Sequence, residues 1–168
     1  MTAITISNTD WSILSAVRSA LAGATVQGET VFASVTMTTS ADQARRCQLT
    51  GAAPKAIVLY EGSSERAGLG GERNCWMSIS LLLAARAPAG VDAAGRLQEI
   101  LRLMNAAINA AEADPPADAC SLATPDLYRP ALQWRAADIR INEPDSQGWT
   151  LCRLGLEVSY RLDAGTSH

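Results

Sequence analysis

Histidine is almost absent from this chain of 168 residues, since the only one is His168 at the very end. A terminal side chain is seldom held in one place, so we expect neither a Ser-His-Asp nor a Cys-His catalytic arrangement. Cysteine is also scarce, and no two cysteines have the C-x-x-C spacing typical of a metal site. We therefore predict that the chain binds no metal and that its thiols are free and mostly buried, at Cys47, Cys75, Cys120 and Cys152.

Aromatic residues, net charge and long apolar runs are limited as well. Aromatic residues make up 5% of the chain, so the core must be built mainly from aliphatic side chains. The net charge of −3 argues against the basic surface that holds nucleic acid, and we expect no sequence-specific nucleic-acid binding. No apolar run approaches the roughly 20 residues of a membrane-spanning helix, so we expect no membrane partner. The length favours a single domain over residues 1–168, with a flexible C-terminal end from about residue 163.

The chain is organised around the segment from Pro54 to Arg86. Pro54–Gly62 is a short apolar run closed by glycine, which predicts a strand buried on both faces. Asn74–Arg86 alternates between a wholly apolar face and a mixed one, which predicts a long central strand. The glycine-and-charge segment Ser63–Arg73 between them predicts a long loop instead of a tight turn, and we expect the resulting hairpin to overhang the domain.

Capping residues and periodicity predict the flanking elements. The prediction is a helix opened by Asn8–Asp10 and ended by Gly23, a strand Glu29–Thr38, a short helix capped by Ser40 and ended by Gly51, a long helix capped by Asp92 and running to about Ala113, a strand Leu132–Asn142 and a final strand ending at Leu162. The apolar stripe of the long helix should face the core, through Leu97, Ile100, Leu101, Met104, Ile108 and Ala111.

This order of elements predicts the fold class. Sequential strands joined by hairpins, together with two substantial helices, are typical of an α+β fold. We expect a mostly antiparallel sheet with the two main helices packed on one face.

Two glycine patterns in the central loop resemble cofactor motifs. Gly68–Arg73 begins like G-x-G-x-x-G, but Arg73 stands where the third glycine should be, and the segment leads into a strand instead of a helix. Glu65–Gly70 has the glycine spacing of the acyl-coenzyme A loop of small acetyltransferases, with Glu65 in place of the usual Arg or Gln. We predict that no cofactor binds, and a small acyl-coenzyme A-dependent acetyltransferase remains the best enzymatic alternative.

Charged side chains flank the same loop. Glu61 and Glu72 form the only carboxylate pair that local sequence brings together, and general acid-base catalysis needs such a pair in one cleft. Arginines beside them favour an intersubunit surface over catalysis. The interface hypothesis assigns intersubunit contacts to Glu65, Arg66, Glu72 and Arg73.

The whole pattern resembles the tail-terminator proteins of long-tailed bacteriophages, including the family found in Mu-like prophages. The resemblance covers nearly the whole chain and consists of the order of elements, with no invariant motif. It lies in the opening helix, the Pro54–Gly62 strand ending in a polar loop, the long following strand, the helix with Leu97, Ile100, Leu101 and Met104, and the C-terminal hairpin ending in Leu154–Tyr160. The proline-rich segment Asp114–Arg129 departs from the family's pattern because it is longer than a simple connection requires.

The resemblance implies a structural protein and no enzyme. It implies a homo-oligomer, a hexameric ring that caps the tail tube, ends its polymerisation and offers a docking surface to head-completion or connector proteins. It also implies a place in the virion tail after assembly in the host cytoplasm, with genome DNA passing through the ring. A soluble binding adaptor or chaperone would share the same composition and stays open as an alternative.

Overall fold

The computed structural model describes residues 6–113, 131–141 and 148–162. The predictions for Cys120, for the segment Asp114–Arg129, for the turn before the last strand and for the C-terminal end lie largely or wholly outside these residues. The elements are α1 Asn8–Ala22, β1 Thr25–Val26, β2 Glu29–Thr30, β3 Ser34–Thr38, α2 Ala41–Gln48, β4 Lys55–Ala67, β5 Arg73–Arg86, α3 Ala93–Glu112, β6 Ala131–Arg140 and β7 Trp149–Leu162.

A five-stranded sheet in the order β3-β4-β5-β7-β6 forms the centre of the fold. The pairing of β3 with β4 is parallel, and every other pairing in this sheet is antiparallel. The short helix α2 makes the crossover that a parallel pair requires. The strand β5 lies in the middle of the sheet, as its sequence pattern predicts, and the predicted α+β fold is confirmed.

The two main helices pack on one face of this sheet, as predicted. Leu14 and Leu21 of α1 and Ile100 and Leu103 of α3 lie in one buried cluster with the inward side chains of β4, β5 and β7. The helix α2 lies on the opposite face, where Ala44 forms a separate small cluster with Ile57, Leu59 and Leu82. Most of that opposite face is polar, so the sheet is asymmetric.

Side-chain caps set the starts of the helices. The Oγ atom of Ser40 accepts a hydrogen bond from the Gln43 backbone, and Oδ1 of Asp92 accepts one from Gly95, so both predicted caps are confirmed. Ser7 caps α1, one position before the predicted cap, and its Oγ accepts a hydrogen bond from the Asp10 amide at 3.1 Å.

The predicted strand Glu29–Thr38 is only partly confirmed, because this segment is divided between β2 and β3. Its first two residues form β2 in a small hairpin with β1, closed at Gln27 and Gly28, which both have positive φ. The consecutive residues Val31 and Phe32 then both enter the same buried cluster, whereas a straight strand would direct neighbouring side chains to opposite faces. The strand β3 therefore begins only at Ser34.

The predicted apolar stripe of α3 is partly wrong. Ile100 and Ala111 are buried, but Leu97 and Leu101 are 38% and 36% exposed, and Leu103 is completely buried in their place. A helix whose apolar residues cover more than one stripe can present either stripe to a sheet, and periodicity alone does not choose between them. The packing against α1 and the sheet makes that choice.

Candidate functional site

The hairpin of β4 and β5 differs from its prediction in two ways. The strand β4 continues to Ala67 and β5 begins at Arg73, so the connection is only residues 68–72 and not the predicted long loop Ser63–Arg73. The strand β7 pairs with β5 along its whole length, up to Arg73 opposite Leu162, so the strand pair does not overhang alone. The hairpin is one side of a three-stranded extension, and residues 68–72, the hairpin tip, lie at its end.

The hairpin tip is an ordered turn. The Gly68 amide donates a 2.7 Å hydrogen bond to the Glu72 carbonyl, and the Gly70 amide donates a 2.9 Å hydrogen bond to Oε2 of Glu72. A Cβ atom on Gly68 would lie 2.0 Å from Oε1 of Glu72, so the carboxylate occupies the space that glycine leaves. The side chain of Leu69 is fully exposed at the apex. The turn therefore presents one apolar side chain to solvent.

The four residues of the interface hypothesis all lie on or beside this tip, but they have different roles. Arg73 forms a long ion pair with Glu65, at 3.9 Å between Nη1 and Oε2. Glu72 holds the turn together. Arg66 is exposed and forms no ion pair with any described residue, so its charge is the one that remains available to a partner.

Glu61 does not join Glu72 in one cleft, contrary to the predicted carboxylate pair. A bulge between Tyr60 and Gly62 accommodates Glu61 as an extra residue, and its carboxylate forms an ion pair with Arg153 across β5. Six residues of extended chain separate Glu61 from Ala67, or roughly 20 Å at about 3.3 Å per residue. Glu61 is therefore in the middle of β4, whereas Glu72 lies beyond the end of this strand, at the tip.

The open face of the sheet carries a row of ion pairs. Besides the pair with Glu61, Nε of Arg153 donates a 3.0 Å hydrogen bond to Oγ of Ser80. Arg135 contacts Glu157 at 2.7 Å, and the two residues lie on neighbouring strands. These side chains are partly exposed, so each pair contributes less than about 1 kcal/mol to folding. The face is consequently charged but close to balanced.

A buried polar cluster joins β4 and β7 to α1. The carboxylate of Asp10, only 1% exposed, accepts hydrogen bonds from the hydroxyls of Tyr160 at 2.7 Å and Tyr60 at 3.1 Å. The Tyr60 hydroxyl also lies 3.1 Å from Oγ of Ser63. Burial and the neighbouring Asp10 carboxylate raise the pKa of Tyr160, so this tyrosine stays protonated as a donor. The cluster was not predicted, because its members are far apart in the chain.

The only lysine of the chain is buried at the C-terminal end of α2. The Lys55 ammonium donates a 2.7 Å hydrogen bond to the Cys47 carbonyl and lies 5.2 Å from the centroid of the Trp149 ring. Burial lowers the pKa of Lys55. These contacts assign Lys55 to the packing of α2 against the sheet.

A groove lies between the C-terminal ends of α1 and α3, far from the hairpin tip. We call it the α1–α3 groove. Small or apolar residues line it, including Ala20, Gly23, Val26 and Ala110. Exposed polar side chains of α3 line it as well, namely Arg102, Asn105 and Asn109. The sequence signal for the groove is the run of alanines in α3, since small side chains leave space between a helix and its neighbour. The sequence also indicates Leu69 as a candidate contact residue, because it is the one apolar side chain within a glycine-rich turn.

In comparisons with known proteins, no protein-family model and no curated protein matches this chain. Within residues 6–113, 131–141 and 148–162, no three His, Cys, Asp or Glu side chains are grouped so that they could hold a metal ion. Of the helices in these ranges, none has both the length and the apolar content to cross a membrane.

Proposed function

We propose that this chain is a structural protein of a bacteriophage tail. Six copies form a ring that caps the tail tube, ends its polymerisation and offers a docking surface to a head-completion or connector protein. The ring acts in the virion, after assembly in the host cytoplasm, and genome DNA passes through it. The resemblance in the order of elements supports this assignment, and the α+β fold is consistent with it.

The observation that carries the proposal is the ordered hairpin tip with Leu69 at its apex. A monomer leaves this side chain wholly in water, although the turn that holds it is stabilised by Glu72. Intersubunit contact would bury it, and the glycines of the tip let a neighbouring subunit approach the backbone closely. The charged side chains beside it suit specific pairing between subunits, because charge complementarity selects the correct partner and register.

Genetic removal tests the function directly. Deletion of the reading frame from the phage or prophage that encodes it should give tail tubes of uncontrolled length and no joined heads, because nothing would then end tube polymerisation. Supply of the wild-type chain from a plasmid should restore finished particles. Tails of normal length in the deletion strain would contradict the proposal.

The purified chain provides a second test. Light scattering coupled to size exclusion should give a mass about six times the 17.7 kDa of one chain, and electron microscopy should show rings. A monomer that binds acetyl-coenzyme A with micromolar affinity would instead favour the acetyltransferase.

A further inference from the structure

We infer that Leu69 at the hairpin tip of one copy inserts into the α1–α3 groove of a second copy. This contact rests on the proposed ring and specifies how two of its subunits meet. The occupant of the groove is thus a second copy of this chain, and four observations support the pairing.

The hairpin tip is preorganised for insertion in the single subunit. Its backbone is closed by the hydrogen bonds of Gly68 and Gly70 to Glu72, so little conformational entropy remains to be lost on docking. Leu69 stands beyond the last strand pair, where no described part of its own subunit covers it. A side chain with this placement can enter a depression on another molecule.

The α1–α3 groove has the matching chemistry. Ala20, Gly23 and Ala110 line it with little side-chain volume, and Val26 adds a 37% exposed apolar surface at one end. The exposed side chains of Asn105 and Asn109 offer amide groups that can form hydrogen bonds with the backbone of a docked turn. A lining of apolar and polar side chains suits an apolar side chain carried on a polar turn.

Charges beside the two surfaces are complementary. Arg66 lies three residues before Leu69 and forms no ion pair with any described residue. Glu29 is exposed, pairs in the β1–β2 hairpin with the groove residue Val26, and likewise has no ionic partner in the described ranges. Arg102 also lines the groove, but its charge is paired with Glu99. The inferred contact places Arg66 of one copy beside Glu29 of the other.

The positions of tip and groove require two different copies. Residues at the N-terminal end of α1 line one cleft with Ser64 and Glu65 of the hairpin, whereas residues at its C-terminal end line the α1–α3 groove. The 15 residues of α1 span roughly 22 Å at about 1.5 Å per residue. The tip of a subunit therefore cannot reach its own groove. Because the two surfaces differ and lie at opposite ends, the contact is head-to-tail, and such a contact generates a ring when the rotation between successive copies closes.

Variants of the full chain test the contact by light scattering over a concentration series. Leu69→Asp places a charge on the inserted side chain, and Asn109→Trp fills the groove from an exposed position of α3. Each should weaken association by at least about tenfold, because each removes apolar contact area or the space for it. Leu49→Asp is the matched control, since Leu49 is 41% exposed and follows α2 on the opposite face of the sheet.

A charge exchange tests the pairing of the two surfaces. Arg66→Glu and Glu29→Arg should each weaken association by placing like charges together, and the chain that carries both substitutions should recover most of the wild-type affinity. Unchanged thermal unfolding of each variant confirms that the subunit still folds. Recovery in the double variant supports the inferred contact.

The outcomes separate this contact from the proposed function. Rings that form equally well with Leu69→Asp and Asn109→Trp would overturn the contact and leave the ring standing. A wild-type chain that stays monomeric at every concentration would overturn both. Loss of association in the Leu49→Asp control to the same degree would also overturn the contact, because the effect would then not belong to the tip.

Discussion

The hydroxyl of Tyr160 donates a 2.7 Å hydrogen bond to Oδ1 of Asp10, which lies 150 positions earlier in the chain. This bond joins the last described strand to the first helix, beside the part of β5 that leads from the tip. The hydroxyl of Tyr60, which lies on β4, donates a hydrogen bond to the other carboxylate oxygen of Asp10. Three elements are thus tied to one buried charge, and the orientation of the three-stranded extension relative to α1 depends on it.

Tyr160→Phe should lower the free energy of unfolding by about 1.5–3 kcal/mol, because a hydrogen bond to a buried charged group is lost. Urea denaturation measures the change. In an Asp10→Ala background the same substitution should cost much less, since the acceptor is already gone. Equal costs in the two backgrounds would show that the bond contributes nothing.

Substitutions on α3 should distinguish its buried side from its exposed side. Leu103→Ala should cost about 2–5 kcal/mol because it leaves a cavity at a completely buried position. Leu101→Ala, at a 36% exposed position, should cost less than about 1 kcal/mol. Thermal or urea unfolding of the two variants measures both values. A larger loss of stability for Leu101→Ala than for Leu103→Ala would show that the stripe predicted from the sequence is the buried one.

Alkaline pH should destabilise the fold through Cys152. Burial, with a smaller effect of Asp138, raises the pKa of this thiol from 9.0 to about 11. A raised pKa means that the stabilising contribution is complete below pH 9 and is lost as the pH rises toward 11. The free energy of unfolding should therefore fall in that range by up to about 1.4 kcal/mol per pH unit for this proton.

The comparison of two variants on β7 isolates this titration. Cys152→Ala should reduce the slope of stability against pH between pH 9 and 11, since it removes the titrating group. Val158→Ala, at an equally buried position, should lower stability at every pH and keep the wild-type slope. An unchanged slope in Cys152→Ala would assign the alkaline loss to other groups, such as Tyr60 and Tyr160, whose pKa values burial also raises.

Glu72→Ala should loosen the hairpin tip without changing global stability by more than about 0.5 kcal/mol, because the one side-chain hydrogen bond it removes is exposed. Heteronuclear relaxation measurements should report faster motion of the amides of residues 68–71. Glu65→Ala is the control, since the 3.9 Å ion pair it removes lies outside the turn. Identical relaxation at the tip in wild type and Glu72→Ala would mean that the carboxylate does not order the turn.

Much of the secondary structure could be predicted because its signals are local. Ser40 and Asp92 act within their own first helical turns, so neighbouring residues suffice to place both caps. The alternation in β7 and in the first half of β5 gives each strand one apolar face, and the α+β class follows from the order of such segments. The four residues of the interface hypothesis lie on or beside the tip, and their contact with a partner stays a prediction.

Other features depended on contacts between distant residues. The sequence predicted that Glu61 and Glu72 form a carboxylate pair. Instead, Glu61 lies at a bulge and forms an ion pair with Arg153 of β7. Leu103 lies in the core and Leu101 does not, because the sheet and α1 together select one of two possible stripes. The extension of β4 to Ala67 also required the whole length of β5 as its hydrogen-bonding partner.

Local chemistry therefore determined where α2 and α3 begin and which face of β7 is apolar, because caps and periodicity act over a few residues. Tertiary packing decided which charges pair, which leucine is buried and where the hairpin ends. These outcomes turn on the pairing of strands and the docking of helices, where each surface is selected by a partner remote in the chain. The exposed tip at Leu69 and the distant α1–α3 groove belong to this second group, since only the assembled fold separates them to opposite ends of α1.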